Sequence, residues 1–159
     1  MKKYELLVDD TIAFLGWKLF RIKALISFGS VEAGELGGYV GKEGNLSHEG
    51  NAWVSGNARV FGNARVSGNA WVSGNAWVSG NAEVKSLKDY IVFKNNWSSG
   101  RYFTYTKSNK MWKVGCFYGT GQELIDKAYK DSENSGKHYE AYVKFVEQLE
   151  TLEADNDAK

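Results

Sequence analysis

Between Asn51 and Val84 the apolar residues come in pairs two positions apart: Ala52/Val54, Ala58/Val60, Ala64/Val66, Ala70/Val72, Ala76/Val78 and Ala82/Val84. Two-residue spacing places both members on one face of an extended segment, which a helix would not do. Gly-Asn separates the pairs. Glycine adopts positive φ freely and asparagine tolerates it, so each pair is followed by a corner. The unit is a six-residue phrase, Asn-Ala-x-Val-x-Gly, and each copy is a short strand and a turn. Such units cannot bury their apolar face singly, so they must wind into a coil with Ala and Val inside. The third slot points the other way and carries Trp53, Arg59, Arg65, Trp71, Trp77 and Glu83.

An aliphatic position followed four residues later by a small one, as in Val54 then Ala58 or Val60 then Ala64, resembles the hexapeptide repeat of left-handed parallel β-helices. The left hand is implied by that resemblance alone, since crossover sterics ordinarily favour a right-handed path. In that family three hexads make a triangular turn, which implies stacking of residues 18 apart. Trp53 then lies over Trp71 on one face, Arg59 over Trp77 on the second, and Arg65 over Glu83 on the third. Phe61 lies above Ser79. The register extends back through Asn45–Gly50, which puts His48 in an inward aliphatic slot, and loosely through Tyr39–Gly44. So much outward aromatic surface needs a cover: other parts of the chain, a neighbouring subunit, or a partner. Trp53, Arg59, Phe61, Arg65, Trp71 and Trp77 are the expected binding or interface residues. Hexapeptide β-helices being commonly trimers, a homo-oligomer, with a trimer favoured, is expected.

The flanks have other periods. Residues 1–30 read as an N-terminal β-hairpin cap, with Tyr4–Leu7 paired to Leu15–Leu25 and Trp17, Leu19, Arg21 and Lys23 alternating against Lys18, Phe20, Ile22 and Ala24. The repeat module spans 31–86. Residues 87–152 form an α+β module of three strands and two helices. Its strands lie in "DYIVFKN", "RYFTYT" and "MWKVGCF". One helix opens at the Thr120–Glu123 capping box; "SENSG" ends it, and a second starts near Lys137 with Tyr139, Tyr142, Val143, Val146, Leu149 and Leu152 on one stripe. Residues 153–159 read as a frayed tail. The fold class is mainly β: a short left-handed parallel β-helix with a hairpin cap and a C-terminal α+β module.

The wording of "LFRIKALISFGSVEAGELGGYVGKEGNLSHEGNAWV" and "WSSGRYFTYT...MWKVGCFYGTGQEL" resembles a family of small hexapeptide-repeat proteins common in bacteriophages and prophages. That resemblance implies a phage accessory protein, with an inhibitor of a host or antiviral-defence component as the expected role and a host protein as partner. Composition agrees with a binding protein more than with a nucleic-acid binder: the net charge of +1 makes no electrostatic footprint, and nucleic acid is an unexpected partner. Aromatic residues make up 14%, so flat side chains abound for packing. A single cysteine, Cys116, cannot form an internal disulfide and fits a reducing compartment. With no apolar run long enough for a leader or span, a cytoplasmic protein without membrane contact is expected.

Candidate chemistry is sparse. Hexapeptide acyltransferases use a histidine base, which makes His48 the one weak catalytic candidate; hydrogen bonding at the end of the coil is the alternative. His138 reads as a solvated helix residue. Two histidines cannot build a three-histidine zinc site in one chain, and neither metal nor cofactor is expected. Cys116, alternating with Trp112 and Val114, reads as core. Gly119, Thr120 and Gly121 precede a helix and could offer N–H groups to an anion, which keeps a small nucleotide or second messenger as a possible ligand. They lack the P-loop lysine and dinucleotide spacing, so an ordinary helix start is the competing reading.

Overall fold

A computed structural model describes residues Lys2–Asp157, and the chain divides into two compact units between Cys116 and Phe117. The first unit opens with a hairpin, β1 (Tyr4–Phe14) and β2 (Trp17–Ala24). Its turn is Leu15-Gly16, both at positive φ, so β1 runs seven residues past the Leu7 end expected from the sequence. Pairing steps from Leu6↔Ile22 to Thr11↔Phe20, so a bulge takes up the residues between. A second irregularity, between Arg21 and Lys23, shifts the register of β2 against its next neighbour. Leu19, Ile22 and Ala24 are all buried, but on different sides: Leu19 packs with Phe14 and Phe61, while Ile22 and Ala24 join the coil interior. Strand β3 (Leu36–Val40) pairs antiparallel with β2 and leads into the repeat.

Six two-residue strands follow, one per hexad: β4 (Trp53–Val54), β5 (Arg59–Val60), β6 (Arg65–Val66), β7 (Trp71–Val72), β8 (Trp77–Val78) and β9 (Glu83–Val84). They pair in parallel at an 18-residue offset, β4 with β7, β5 with β8 and β6 with β9. Between rungs the Trp53 N–H donates to Ala70 O at 3.0 Å and the Ser55 N–H to Val72 O at 2.9 Å, with the same pattern at Arg59/Ala76 and Arg65/Ala82. Every Ala and Val of the six pairs is buried, and Leu46 and Val40 extend the stack. The corner glycines, Gly50 to Gly80 in steps of six, all have φ between +62° and +68°. At Gly50 a Cβ would also sit 2.7 Å from Gly68 O, so two separate reasons demand glycine there.

One register expectation fails. Leu46, not His48, occupies the inward slot: Leu46 bridges to Val66 and the Ser47 N–H donates to Val66 O at 2.8 Å. Tyr39↔Arg59 and Val40↔Val60 carry the same two-residue slip. Eight residues instead of six separate Leu46 from Val54, and the surplus widens the corner that holds His48. Placing the larger leucine inside avoids burying an imidazole against Val and Ala.

Beyond the repeat, β10 (Tyr90–Lys94), β11 (Tyr102–Thr106) and β12 (Met111–Val114) pair antiparallel in sequence order. Phe103, Tyr105 and Trp112 are buried. Cys116 is exposed in the turn after β12, not in a core. Gly115 turns the chain there at φ +55°, ending the alternation on which the core reading relied.

The second unit holds β13 (Phe117–Thr120), α1 (Gly121–Asp131) and α2 (Glu133–Asp157). Helix α1 buries Leu124, Ile125 and Ala128; α2 buries Tyr139, Val143 and Val146. The "SENSG" break shrinks to Ser132 alone. Gly136 stays helical because its missing Cβ leaves room for the Tyr129 ring, whose hydroxyl donates to Glu140 at 2.8 Å. Leu152, expected on the buried stripe, is exposed. Helix also continues through Glu153 and Ala154, both good helix formers, where fraying was expected; Ala158 and Lys159 lie outside the described residues. No helix among the described residues is long and apolar enough to cross a membrane.

Candidate binding surface

The third slots of the hexads line three outer faces, and the structure treats them differently. On the first, Trp53 is fully buried while Trp71, its partner one rung on, is 42% exposed. Trp53 packs edge-on against Phe28 at 5.3 Å and Tyr4 at 6.4 Å, both from the N-terminal segment. Beside Trp71 a shallow pocket of about 150 Å³ is lined by Gly29, Ser30, Val31, Asn51 and Asn69. The outward direction of this slot therefore holds, but Trp53 is covered within the chain.

On the second face the Arg59 guanidinium lies 5.4 Å from the Trp77 ring, the stacking inferred from an 18-residue period, and 4.3 Å from Phe14. Phe14 meets Trp77 at 4.5 Å and Phe61 at 5.4 Å, and Trp17 meets Phe61 at 5.7 Å. Phe61 is buried under these rings from the hairpin tip. The third face carries Arg65 and Glu83, register partners and both exposed.

Each end of the coil presents backbone groups with no further rung to meet. At the start, the Lys3 ammonium donates to Ala52 O at 2.6 Å and the Asn45 side chain to Ala64 O at 2.8 Å. Lys3 is buried, with Phe28 4.6 Å below its charge, and desolvation lowers its pKa to about 8. The Tyr4 hydroxyl lies between Leu46 O at 2.6 Å and Glu43 O at 2.8 Å. Burial, and secondarily Glu43, raise its pKa and keep it a donor. At the far end one hydroxyl serves each stack. Tyr90 donates to Trp71 O at 2.8 Å, Thr104 accepts from the Trp77 N–H at 3.0 Å, and Ser108 accepts from the Glu83 N–H at 2.8 Å.

His48 stacks on Tyr4 at 4.1 Å and 9°, and its Nδ1 accepts the Lys3 backbone N–H at 3.0 Å. That bond leaves the proton on Nε2, which is buried without an acceptor. Desolvation chiefly lowers its pKa, with Lys2 and Lys3 adding to the effect and Glu43 opposing it. The ring ties the N-terminal strand to the widened corner. His138 Nδ1 lies 2.8 Å from Asn134 O within its own helix.

At the start of α1 the Thr120 N–H donates to Glu123 Oε1 at 2.9 Å, and Thr120 Oγ1 accepts from the Glu123 N–H at 3.2 Å. The protein's own carboxylate thus sits where an anion at Gly119–Thr120–Gly121 would go, as a capping box requires. Among the described residues no group of three or more His, Cys, Asp or Glu side chains could hold a metal ion.

Sequence reasoning missed Lys3, Phe14, Phe28, Tyr90, Thr104 and Ser108, all outside the repeat. Each acts on a hexad distant in the chain, and local pattern does not say which distant segment a residue will reach.

These features define a repeat β-solenoid, mainly β with a helical C-terminal part. Residues 52–66, 58–74 and 64–80 match the family model described as the YdcK beta solenoid repeat, so this chain is similar to that family across the hexads. No curated protein matches the chain.

Proposed function

We propose that this is a non-catalytic binding protein that associates with copies of itself through the uncovered half of its first face. The observation that carries the reading is Trp71, a 42% exposed indole in a slot whose other copy on that face, Trp53, is completely covered. An aromatic projecting from a flat sheet beside a shallow pocket is what a protein interface uses as an anchor. A trimer is the favoured assembly, supported by the trimers common among left-handed hexapeptide coils, and the 18-residue pairing of the hexads supports a coil of that type. The likeness to phage and prophage repeat proteins supports a phage-derived accessory protein, acting in the host cytoplasm on a host or antiviral-defence protein.

The competing acyltransferase reading needs a histidine free to take a proton. His48 already uses Nδ1 on the Lys3 N–H and faces Tyr4 with its ring. A non-catalytic role fits that geometry better.

Light scattering across micromolar concentrations tests the association. The wild type is expected at a multiple of its 17.8 kDa mass, and Trp71→Glu at 17.8 kDa with its β signal kept. A wild type running at single mass throughout would end the self-association reading. Capture from host lysate with the same variant as control then tests for a foreign partner.

A further inference from the structure

Arg59 and Lys113 are two cations with little within the fold to satisfy them. Arg21 shows the contrast: its Nε reaches Asp10 at 3.0 Å, and its two Nη groups reach Gly37 O at 2.8 Å and the Tyr39 hydroxyl at 2.6 Å. Arg59 lies against both the Phe14 and Trp77 rings, which also meet each other at 4.5 Å, yet among the described residues none of its N–H donors meets an acceptor. Its Nε is buried without a partner.

Lys113, on β12, is more than nine-tenths buried. Its register partner Thr104 bonds to the second face of the coil, and its ammonium lies 6.0 Å from the Phe61 ring. No acceptor or carboxylate meets it among the described residues. Desolvation chiefly lowers the pKa of both groups, opposed only by Tyr39 at Arg59 and by Cys116 at Lys113, and no carboxylate contributes to either shift. The two cations stand on Phe14 and Phe61, rings that touch each other at 5.4 Å. Trp17, 47% exposed, leans on Phe61 from the outside.

We infer that Arg59 and Lys113 bind a phosphoryl oxyanion at the aromatic edge formed by Phe14, Phe61 and Trp17. A guanidinium packed against two rings has its donor fork oriented in advance, which suits an anion with several oxygens. Two positive charges match the nearly double negative charge of a phosphate monoester. The exposed indole of Trp17 offers a stacking surface for a flat ring attached to it. The oxyanion could be free phosphate or the phosphate of a nucleotide, and Trp17 separates the two. The site is distinct from the Trp71 face and from the closed start of α1. It can be tested on the isolated chain, so its failure would leave the self-association reading standing.

The experiment is calorimetric titration of the whole protein with inorganic phosphate and, separately, with adenosine monophosphate at low ionic strength. Lys113→Met keeps the buried stem and removes the charge; Arg59→Met does the same on the other side, and thermal melts check that each folds. Saturable binding weakened about tenfold or more by Lys113→Met supports the inference, since a lost charge-assisted bond has that effect. Trp17→Ala, a change at the surface, then assigns the ligand. Loss of monophosphate affinity with phosphate affinity unchanged points to a nucleotide; equal affinities untouched by Trp17→Ala point to the free anion. Absence of binding by either probe, or binding indifferent to Lys113→Met in a folded variant, overturns it.

Discussion

Trp53 and Trp71 occupy the same slot of two identically worded hexads, pair in register on adjacent rungs, and differ in environment. The first is sealed beneath Tyr4 and Phe28; the second is 42% exposed. The local backbone does the same thing at both places, pointing the indole out of the coil. What differs is which other segment arrives. Rung one receives the N-terminal strand and the Phe28 loop. Rung two receives the Tyr90 hydroxyl on its carbonyl, and beside its indole the segment of Gly29, Ser30 and Val31 leaves an open pocket. Direction is thus a property of the repeat, and burial a property of its neighbours.

The largest effect is expected where the two positions do not differ, in the shared interior. Val66→Asp would bury an unpaired carboxylate between Leu46 and Val84, costing several kcal/mol and unfolding the coil. Retention of the wild-type melting temperature would show that this face does not point inward.

The comparison itself is sharpened by truncating both indoles. Trp53→Ala should destabilise by about 3–5 kcal/mol, the range for emptying a buried aromatic site. Trp71→Ala should cost the isolated chain under about 1 kcal/mol, being a surface change. Denaturant midpoints decide; equal losses would mean that rung one is no better covered than rung two.

The smallest effect concerns how the cover over Trp53 is held. The pKa of Lys3 falls from 10.5 to about 8 on folding, so between those values the unfolded chain binds more protons and stability rises with pH. The pKa of Tyr4 is raised above 10.0, so its contribution is fully present below that value and declines above it. Stability should therefore climb between pH 8 and 10, then turn over as Tyr4 ionises in the unfolded chain. The climb amounts to about 1–3 kcal/mol. In Lys3→Met it should shrink to the part that Lys113 contributes, while the decline above pH 10 remains. An unchanged climb in that variant would place the titrating group elsewhere.

The chemistry of the candidate surface was legible only in part. Arg59 over Trp77 followed from an 18-residue period, because stacked rungs bring equivalent slots together whatever else surrounds them. Phe14 over the same guanidinium did not, since nothing in a hairpin sequence says which face of a distant coil its tip will reach. His48 misled for a related reason. A two-residue insertion in a corner leaves the hexad wording readable and still shifts every inward slot before it, so that Leu46 stands where His48 was placed.

By itself, then, the sequence determined the extended segments, the corners and the Ala/Val interior. Those depend on side-chain alternation and on the positive φ that only glycine accepts readily, both set within a few residues. It also determined the start of α1, because a capping box closes over four positions. Only the tertiary structure decided that Trp53 would be buried and Trp71 bare. It alone set a lysine amine at one end of the coil and three hydroxyls at the other, and left Arg59 and Lys113 without counter-ions. These outcomes depend on where segments far apart in the chain meet, and short-range periodicity carries no information about that.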